Sequence, residues 1–204
     1  MGQDTTPVAT TASSTGEREQ AILRAACRVV VREGAHGLRM ATVAAEAGVS
    51  KALVHYYFST RQELLRKAFA HADSHLNDLV EADLEHLATG RTRVERMLLA
   101  GLEAGSPSED QRSLWNEVWS GLRYDDELRP LVADRYRLWV DRLVSLVEEG
   151  RADGSIGTRV EAVESGTRLA AVADGLDSML YLGLVDHERA LALGREALQR
   201  ELGG

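Results

Sequence analysis

Residues 40–58 read MATVAAEAGVSKALVHYYF, and their spacing describes two short helices joined by a glycine turn. Val43, Ala44 and Ala47 recur at helical intervals, so the first segment lays one apolar stripe on a partner. Gly48 stands where a helix ends in a left-handed residue, a conformation that a residue without Cβ adopts without clash. Ser50 is placed to cap the next helix by accepting an amide hydrogen bond. That helix, over residues 51–57, is too short to persist alone in water and must be docked by its neighbours. Its outward side chains are then Lys, His and Tyr. The pair forms a helix-turn-helix over 39–58 whose second helix suits a DNA major groove.

The charge balance first argues the other way, since the 204-residue chain carries a formal charge of −8. Its distribution reverses the argument. Residues 17–67 hold nine Lys/Arg and five Asp/Glu, a net +4, whereas residues 68–204 carry −11. A basic N-terminal unit on an acidic body is the pattern of a DNA reader joined to a regulatory domain. Few aromatics and three prolines favour an all-α fold. No apolar run is long enough to span a bilayer and no N-terminal signal core is present, so a cytoplasmic protein without membrane partners is expected. Cys27, the one cysteine, excludes an internal disulfide and reads as a packing residue in a reducing compartment.

In chain order, residues 1–15 are polar and Ser/Thr-rich, and read as a disordered tail. Ser14 and Glu17 have capping-box spacing, so the first helix should open near Gly16, bury Ile22, Ala25, Ala26, Val29 and Val30, and end at Gly34. Thr60 and Glu63 open a long helix to about residue 89. Its first turn completes a DNA-binding domain over 16–76, and its remainder enters a second domain over 77–204, so that one helix serves both as a lever. Further helices are expected at 92–104, 108–122, 127–149, 160–184 and 187–201, about nine in all, with Pro130 in a first turn and Glu149-Gly150 as an end.

Within the helix-turn-helix, Lys51 can donate to guanine O6/N7 or to a phosphate, and Ala52 and Leu53 can meet a thymine methyl. His55, Tyr56, Tyr57, Arg61 and Arg39 offer phosphate donors beside the capping Ser50, while Phe58 packs the domain. Farther on, Trp115, Trp119, Tyr124, Tyr136 and Trp139 gather on two consecutive helices near Glu117, Asp125 and Asp126. Aromatic faces beside carboxylates attract a cationic or amphipathic organic ligand, although the same spacing also fills a core. His71 and His75 stand one turn apart without a third ligand and read as a solvated face, so no metal and no cofactor is expected. No nucleophile–base pair or phosphate loop supports an enzyme. The alternatives to a regulator are a helical enzyme and a protein-interaction module with a vestigial helix-turn-helix.

The ordered set Val43-Ala44, Ala47-Gly48-Val49-Ser50-Lys51, Tyr57-Phe58 and Arg61-Gln62-Glu63-Leu64-Leu65 resembles the TetR family of bacterial transcriptional regulators. The chain departs from the family pattern at Arg39, where Thr is usual, and at His55, where Tyr is usual; in the family both positions meet the DNA backbone. The resemblance implies an N-terminal three-helix helix-turn-helix domain followed by a helical ligand-binding and dimerisation domain. It also implies a homodimer that binds a palindromic operator, most often as a repressor, and is released by a small-molecule effector. In the family the helices that carry the aromatic cluster wall the ligand cavity, which makes Trp115, Glu117, Trp119, Tyr124, Tyr136 and Trp139 the expected pocket. The WNEVW and DGL stretches are similar to the subgroup related to the betaine-synthesis repressor. Residues 169–182 resemble the penultimate helix, which pairs with the last helix across a two-fold axis. Gly166, Ala170, Ala173, Asp177, Leu180, Leu191 and Leu198 are the interface residues this implies. Effector binding would tilt the long helix and change the separation of the two recognition helices, which must match major grooves about 34–36 Å apart.

Overall fold

Caps and apolar spacing place the elements. The computed structural model describes residues 10–105, 114–119 and 126–203, with side chains from residue 15 onward. Among these, all regular structure is helical: α1 (Thr10–Gly37), α2 (Met40–Ala47), α3 (Lys51–Tyr57), α4 (Arg61–Glu85), α5 (Gly90–Leu99), a 3₁₀ turn (Ala100–Leu102), α6 (114–119), α7 (Leu128–Ala152), α8 (Ala162–Tyr181) and α9 (His187–Leu202). The chain divides into two compact units, Met1–Ala72 with Ser113–Asp125, and Asp73–Arg112 with Asp126–Gly204. The change of unit thus falls inside α4, earlier than the expected 76/77 boundary, and residues 113–125 belong with the N-terminal unit.

In the first unit α1 buries the expected Ile22, Ala25, Ala26, Val29 and Val30, joined by Leu38, Val43, Val54, Phe58, Leu64 and Phe69. The helix begins at Thr10, not near Gly16, so part of the expected tail is helical; residues 1–9 lie outside the described residues. Its regular path breaks at Gly34, with φ 71° and ψ 175°, and one further turn leads to α2. At the start of α4 the Glu63 amide donates to Thr60 Oγ1 at 3.0 Å, and the Ser59 amide donates to the Glu63 carboxylate at 2.8 Å. That amide holds the Glu63 carboxyl below its usual range.

The core of the second unit is built from Leu84, Val94, Leu98, Leu99, Leu143, Leu146, Val147, Leu169, Leu176 and Leu198, with Ala170 and Ala173 beside them. Here α7 does not end at Glu149-Gly150 but runs on to Ala152. A Cβ on Gly90 would collide with the Gly150 backbone, so the start of α5 touches the last turns of α7. Arg142 bonds both Glu81 oxygens, at 2.7 and 2.8 Å, and Glu149 at 2.9 Å; Glu149 in turn accepts from Arg93 at 2.8 Å. This chain of partly exposed ion pairs fixes how α4, α7 and α5 lie in the second unit more than it adds to stability. No helix among the described residues is long and apolar enough to cross a membrane.

Candidate nucleic-acid interface and effector site

Gly48 ends α2 at φ 67° and ψ 30°, and the Val49 amide donates back to the Ala44 carbonyl at 2.9 Å. Ser50 Oγ accepts from the Leu53 amide at 3.1 Å and so starts α3. Val54 and Phe58 are fully buried and dock α3 on its neighbours. This orientation leaves Ser50, Lys51, Ala52, His55 and Tyr56 exposed, with Tyr56 at 77%, and Leu53 and Tyr57 half-buried. Arg39 is exposed as the N-cap residue of α2, and its side chain makes no cap bond. Two predicted donors turn inward. The Tyr57 hydroxyl donates to the Thr15 carbonyl at 3.2 Å, and the Arg61 guanidinium donates to the Leu38 carbonyl at 2.9 Å and also to that of Ala35. Those bonds hold α1 and the turn after it, a role that local spacing does not reveal because the partners lie 42, 23 and 26 residues away. Of the basic residues, Arg28 and Arg32 clasp Glu46 of α2 at 2.8 and 3.0 Å, and draw its carboxyl below the usual range. The Cys27 thiol donates to the Ala68 carbonyl, and burial pushes its pKa up to about 11, as befits an inert packing residue.

The expected pocket residues form two groups, one in each unit. In the first, Trp115 meets Phe69 edge-on at 4.8 Å and lies 6.4 Å from Trp119, which is 53% exposed. Glu117 beside them accepts the Ala35 amide at 2.8 Å. In the second, Tyr136 and Trp139 pair edge-to-face at 5.6 Å on α7, and the Tyr136 hydroxyl donates to the Asp174 carboxylate of α8. Partial burial, followed by that carboxylate, pushes the Tyr136 pKa up; burial likewise raises that of Asp174. Asp174 was missed because its partner is 38 residues away. Tyr124 and Asp125 lie outside the described residues. A cleft of about 200 Å³ between α5 and α9 is lined by other side chains: Arg91, Glu95, Arg195, Leu198, Gln199 and Leu202. No group of three or more His, Cys, Asp or Glu among the described residues is placed to hold a metal ion.

Two family models match the chain: "Bacterial regulatory proteins, tetR family" over residues 22–68 and "BetI-type transcriptional repressor, C-terminal" over residues 90–203. The chain belongs to the TetR family. It is a ligand-responsive DNA-binding transcriptional regulator by that membership. The HTH-type transcriptional regulator BetI of Rhizobium meliloti (strain 1021) is 31% identical over 160 residues, covering 78% of this chain and 75% of the relative. A transcriptional regulator from Saccharomonospora viridis, solved in complex with choline, is 27% identical with a TM-score of 0.80, covering 90% of this chain and 96% of that one. A TetR-family regulator from Rhodococcus sp. is 25% identical with a TM-score of 0.81, covering 92% and 100%. Regulators of the TetR family bind DNA, dimerise and take small-molecule effectors, and the relatives named are regulators rather than enzymes.

The expected interface residues lie on α8 and α9, and four of them face inward. Gly166, Ala170, Ala173 and Leu198 are buried in the protomer's own core. A Cβ on Gly166 would lie 2.7 Å from Val144 Cγ2 and 3.0 Å from the Val144 amide nitrogen, so this glycine seats α8 on α7. Leu180 and Leu191 pack partly against the same core, and Asp177 is half-buried. The opposite side of α8 exposes Thr167, Ala171, Gly175 and Ser178, with Leu182 exposed just past its end. Small residues occur on both faces of α8, so a resemblance of the helix as a whole does not say which face is outward.

Proposed function

We propose that the chain is a repressor that acts in the cytoplasm, binds a palindromic operator as a homodimer, and is released by a cationic or amphipathic organic effector; no catalytic activity is proposed for it. One observation carries the DNA-binding part. A docked α3 keeps its apolar side chains Val54 and Phe58 inward and presents Lys51, Ala52, His55 and Tyr56 to solvent. Among these Lys51 is the base or phosphate donor, Ala52 the apolar contact, and Tyr56, His55 and Arg39 the further phosphate donors. Selection from a genomic DNA pool should recover a fragment with an inverted repeat; recovery of no sequence above background would refute the reading.

The dimer contact is proposed at the outer face of α8 with α9. Gly175 supports this. A Cβ there would meet nothing within 4 Å in the protomer, yet glycine inside a helix costs roughly 1 kcal/mol against alanine. A low surface retained at such a cost fits a second helix laid across Ala171, Gly175 and Ser178.

For the effector, support comes from Tyr136 and Trp139 on α7 beside the Asp174 carboxylate, since aromatic faces and a carboxylate together favour a quaternary ammonium group. The relative solved with choline makes choline the first probe. Calorimetry should show choline binding and the uncharged isostere 3,3-dimethylbutan-1-ol not binding. Because burial raises the Asp174 pKa above its ordinary 3.8, choline affinity should fall with decreasing pH before that value is reached. Equal affinity for both compounds would remove the charge argument.

A further inference from the structure

The first unit contains a contact that the DNA-binding surface does not use. Beyond Ala72 the chain leaves this unit and returns as Ser113–Asp125, a segment continuous at both ends with the second unit. Within it Glu117 reaches back to α1, where its carboxylate accepts the Ala35 amide at 2.8 Å across 82 residues. The break at Gly34 makes this possible. Its φ of 71° interrupts the α1 hydrogen-bond ladder and leaves the Ala35 amide in need of an acceptor. A Cβ at Gly34 would stand only 3.2 Å from Glu117 Oε1. The carbonyl side of the same turn is held by Arg61, which donates to Ala35 and Leu38. The turn from Ala35 to Leu38, which feeds directly into α2 of the helix-turn-helix, is therefore fixed on its amide side by α6 and on its carbonyl side by α4.

A second observation concerns the seat of α6 itself. Asn116, next to Glu117, has a buried Nδ2 with no hydrogen-bond partner among the described residues. A buried donor without an acceptor is costly, so α6 gains from any shift that offers this amide a partner. One residue of α6 is thus tied to the turn that precedes α2, and its neighbour carries a buried polar group with no partner among the described residues.

We propose that Glu117 is a positioning residue: from α6 it holds the Ala35–Leu38 turn in the pose that presents α3 to DNA, and displacement of α6 releases that turn. The proposal rests on the DNA-binding reading and adds to it the residue through which the segment continuous with the effector unit acts. The Glu117 carboxylate holds the Ala35 amide, so its loss is expected to change the pose of the reader and to leave the salt slope of DNA binding unchanged.

The test uses the full chain, a DNA fragment selected by the wild-type protein, and the variants Glu117→Ala, Glu117→Asp and Glu117→Gln. Fluorescence anisotropy at several salt concentrations gives Kd and its salt slope, and hydrogen–deuterium exchange reports the Ala35 amide. Glu117→Ala should weaken binding about tenfold, within the roughly 5–150-fold span of allosteric couplings, with an unchanged salt slope and faster exchange at Ala35. Glu117→Gln retains an acceptor oxygen and should restore both readouts. Glu117→Asp is too short by one methylene; it should behave as the alanine variant and serves in its place if that variant does not fold. Wild-type affinity in Glu117→Ala or Glu117→Asp, or unaltered exchange at Ala35, overturns the positioning role alone. A wild-type protein that selects no DNA overturns this proposal together with the reading it rests on.

Discussion

α3 and α8 each leave a row of side chains unburied, and the two rows differ in chemistry. On α3 the row is Lys51, Ala52, His55 and Tyr56, donors with one methyl among them; on α8 it is Thr167, Ala171, Gly175 and Ser178, low and weakly polar, with Glu164 and Arg168 exposed near its start and Leu182 just past its end. A row of donors can remain in water until an anionic partner displaces that water, and it responds to salt. A low, weakly polar row gains by being covered with a surface of the same kind, and responds to shape. Both assignments are proposals: the first row to DNA and the second to another copy of the chain.

The sharpest way to break this contrast is to put charge on the second row. Ala171→Glu together with Gly175→Glu should convert the protein to a monomer by light scattering. Operator affinity should fall by about 100-fold or more, since two linked half-site contacts become independent. A dimer that survives both substitutions would move the interface elsewhere and leave the exposed face of α8 unexplained.

The inner face of the same helix provides the next test. Gly166→Ala would place a methyl 2.7 Å from Val144 Cγ2 and 3.0 Å from its amide nitrogen, so α8 must move away from α7. Overpacking of this kind costs about 1–3 kcal/mol, to be read as a lower denaturation midpoint. The association constant of the folded protein should change far less. An effect on association alone would return Gly166 to the interface, where the family resemblance places it.

How much of this was legible in the sequence follows from the range of each interaction. The helix-turn-helix was readable because its determinants are local: Gly48 supplies the left-handed residue, Ser50 accepts an amide three residues on, and Val54 and Phe58 dock the short helix. The inward roles of Tyr57 and Arg61 were not readable, since Thr15, Leu38 and Ala35 come to them only when the unit folds. Gly150 reads as a helix end for the same reason, because the Ile156 side chain and the Arg91 amide nitrogen, which a Cβ there would meet at 2.5 and 3.2 Å, come to it only when the unit folds. The expected pocket joins Trp115 and Trp119 to Tyr136 and Trp139 because consecutive helices carry them and the family resemblance makes those helices cavity walls, and the contacts described pair each set within its own unit.

A smaller effect is expected within the first row. Lys51→Ala should cost about 1–3 kcal/mol and relax one operator position if Lys51 reads a base edge. If it meets a phosphate instead, every sequence should weaken alike and the salt slope should fall by about 0.9. Arg61→Ala separates surface from scaffold: with its guanidinium on the Leu38 and Ala35 carbonyls, the variant should first lower the melting temperature of the first unit. A changed salt slope without loss of stability would restore Arg61 to the DNA surface.

The smallest effect discriminates most directly between covered and uncovered surface. At an exposed helical position Gly→Ala stabilises by roughly 1 kcal/mol, because alanine loses less backbone freedom on folding. Gly175 sits in α8 with open space around a Cβ in the protomer, so an Ala171→Glu variant that light scattering shows to be monomeric should display this gain when Gly175→Ala is added. In the wild-type background the same methyl would enter the gap between two closely approaching helices. The gain in protomer stability should then be offset by weaker association, seen as a denaturation midpoint that rises less at high protein concentration than at low. An equal rise at all concentrations would mean that nothing lies against Gly175, and the contrast between α3 and α8 would reduce to one functional row and one bare one.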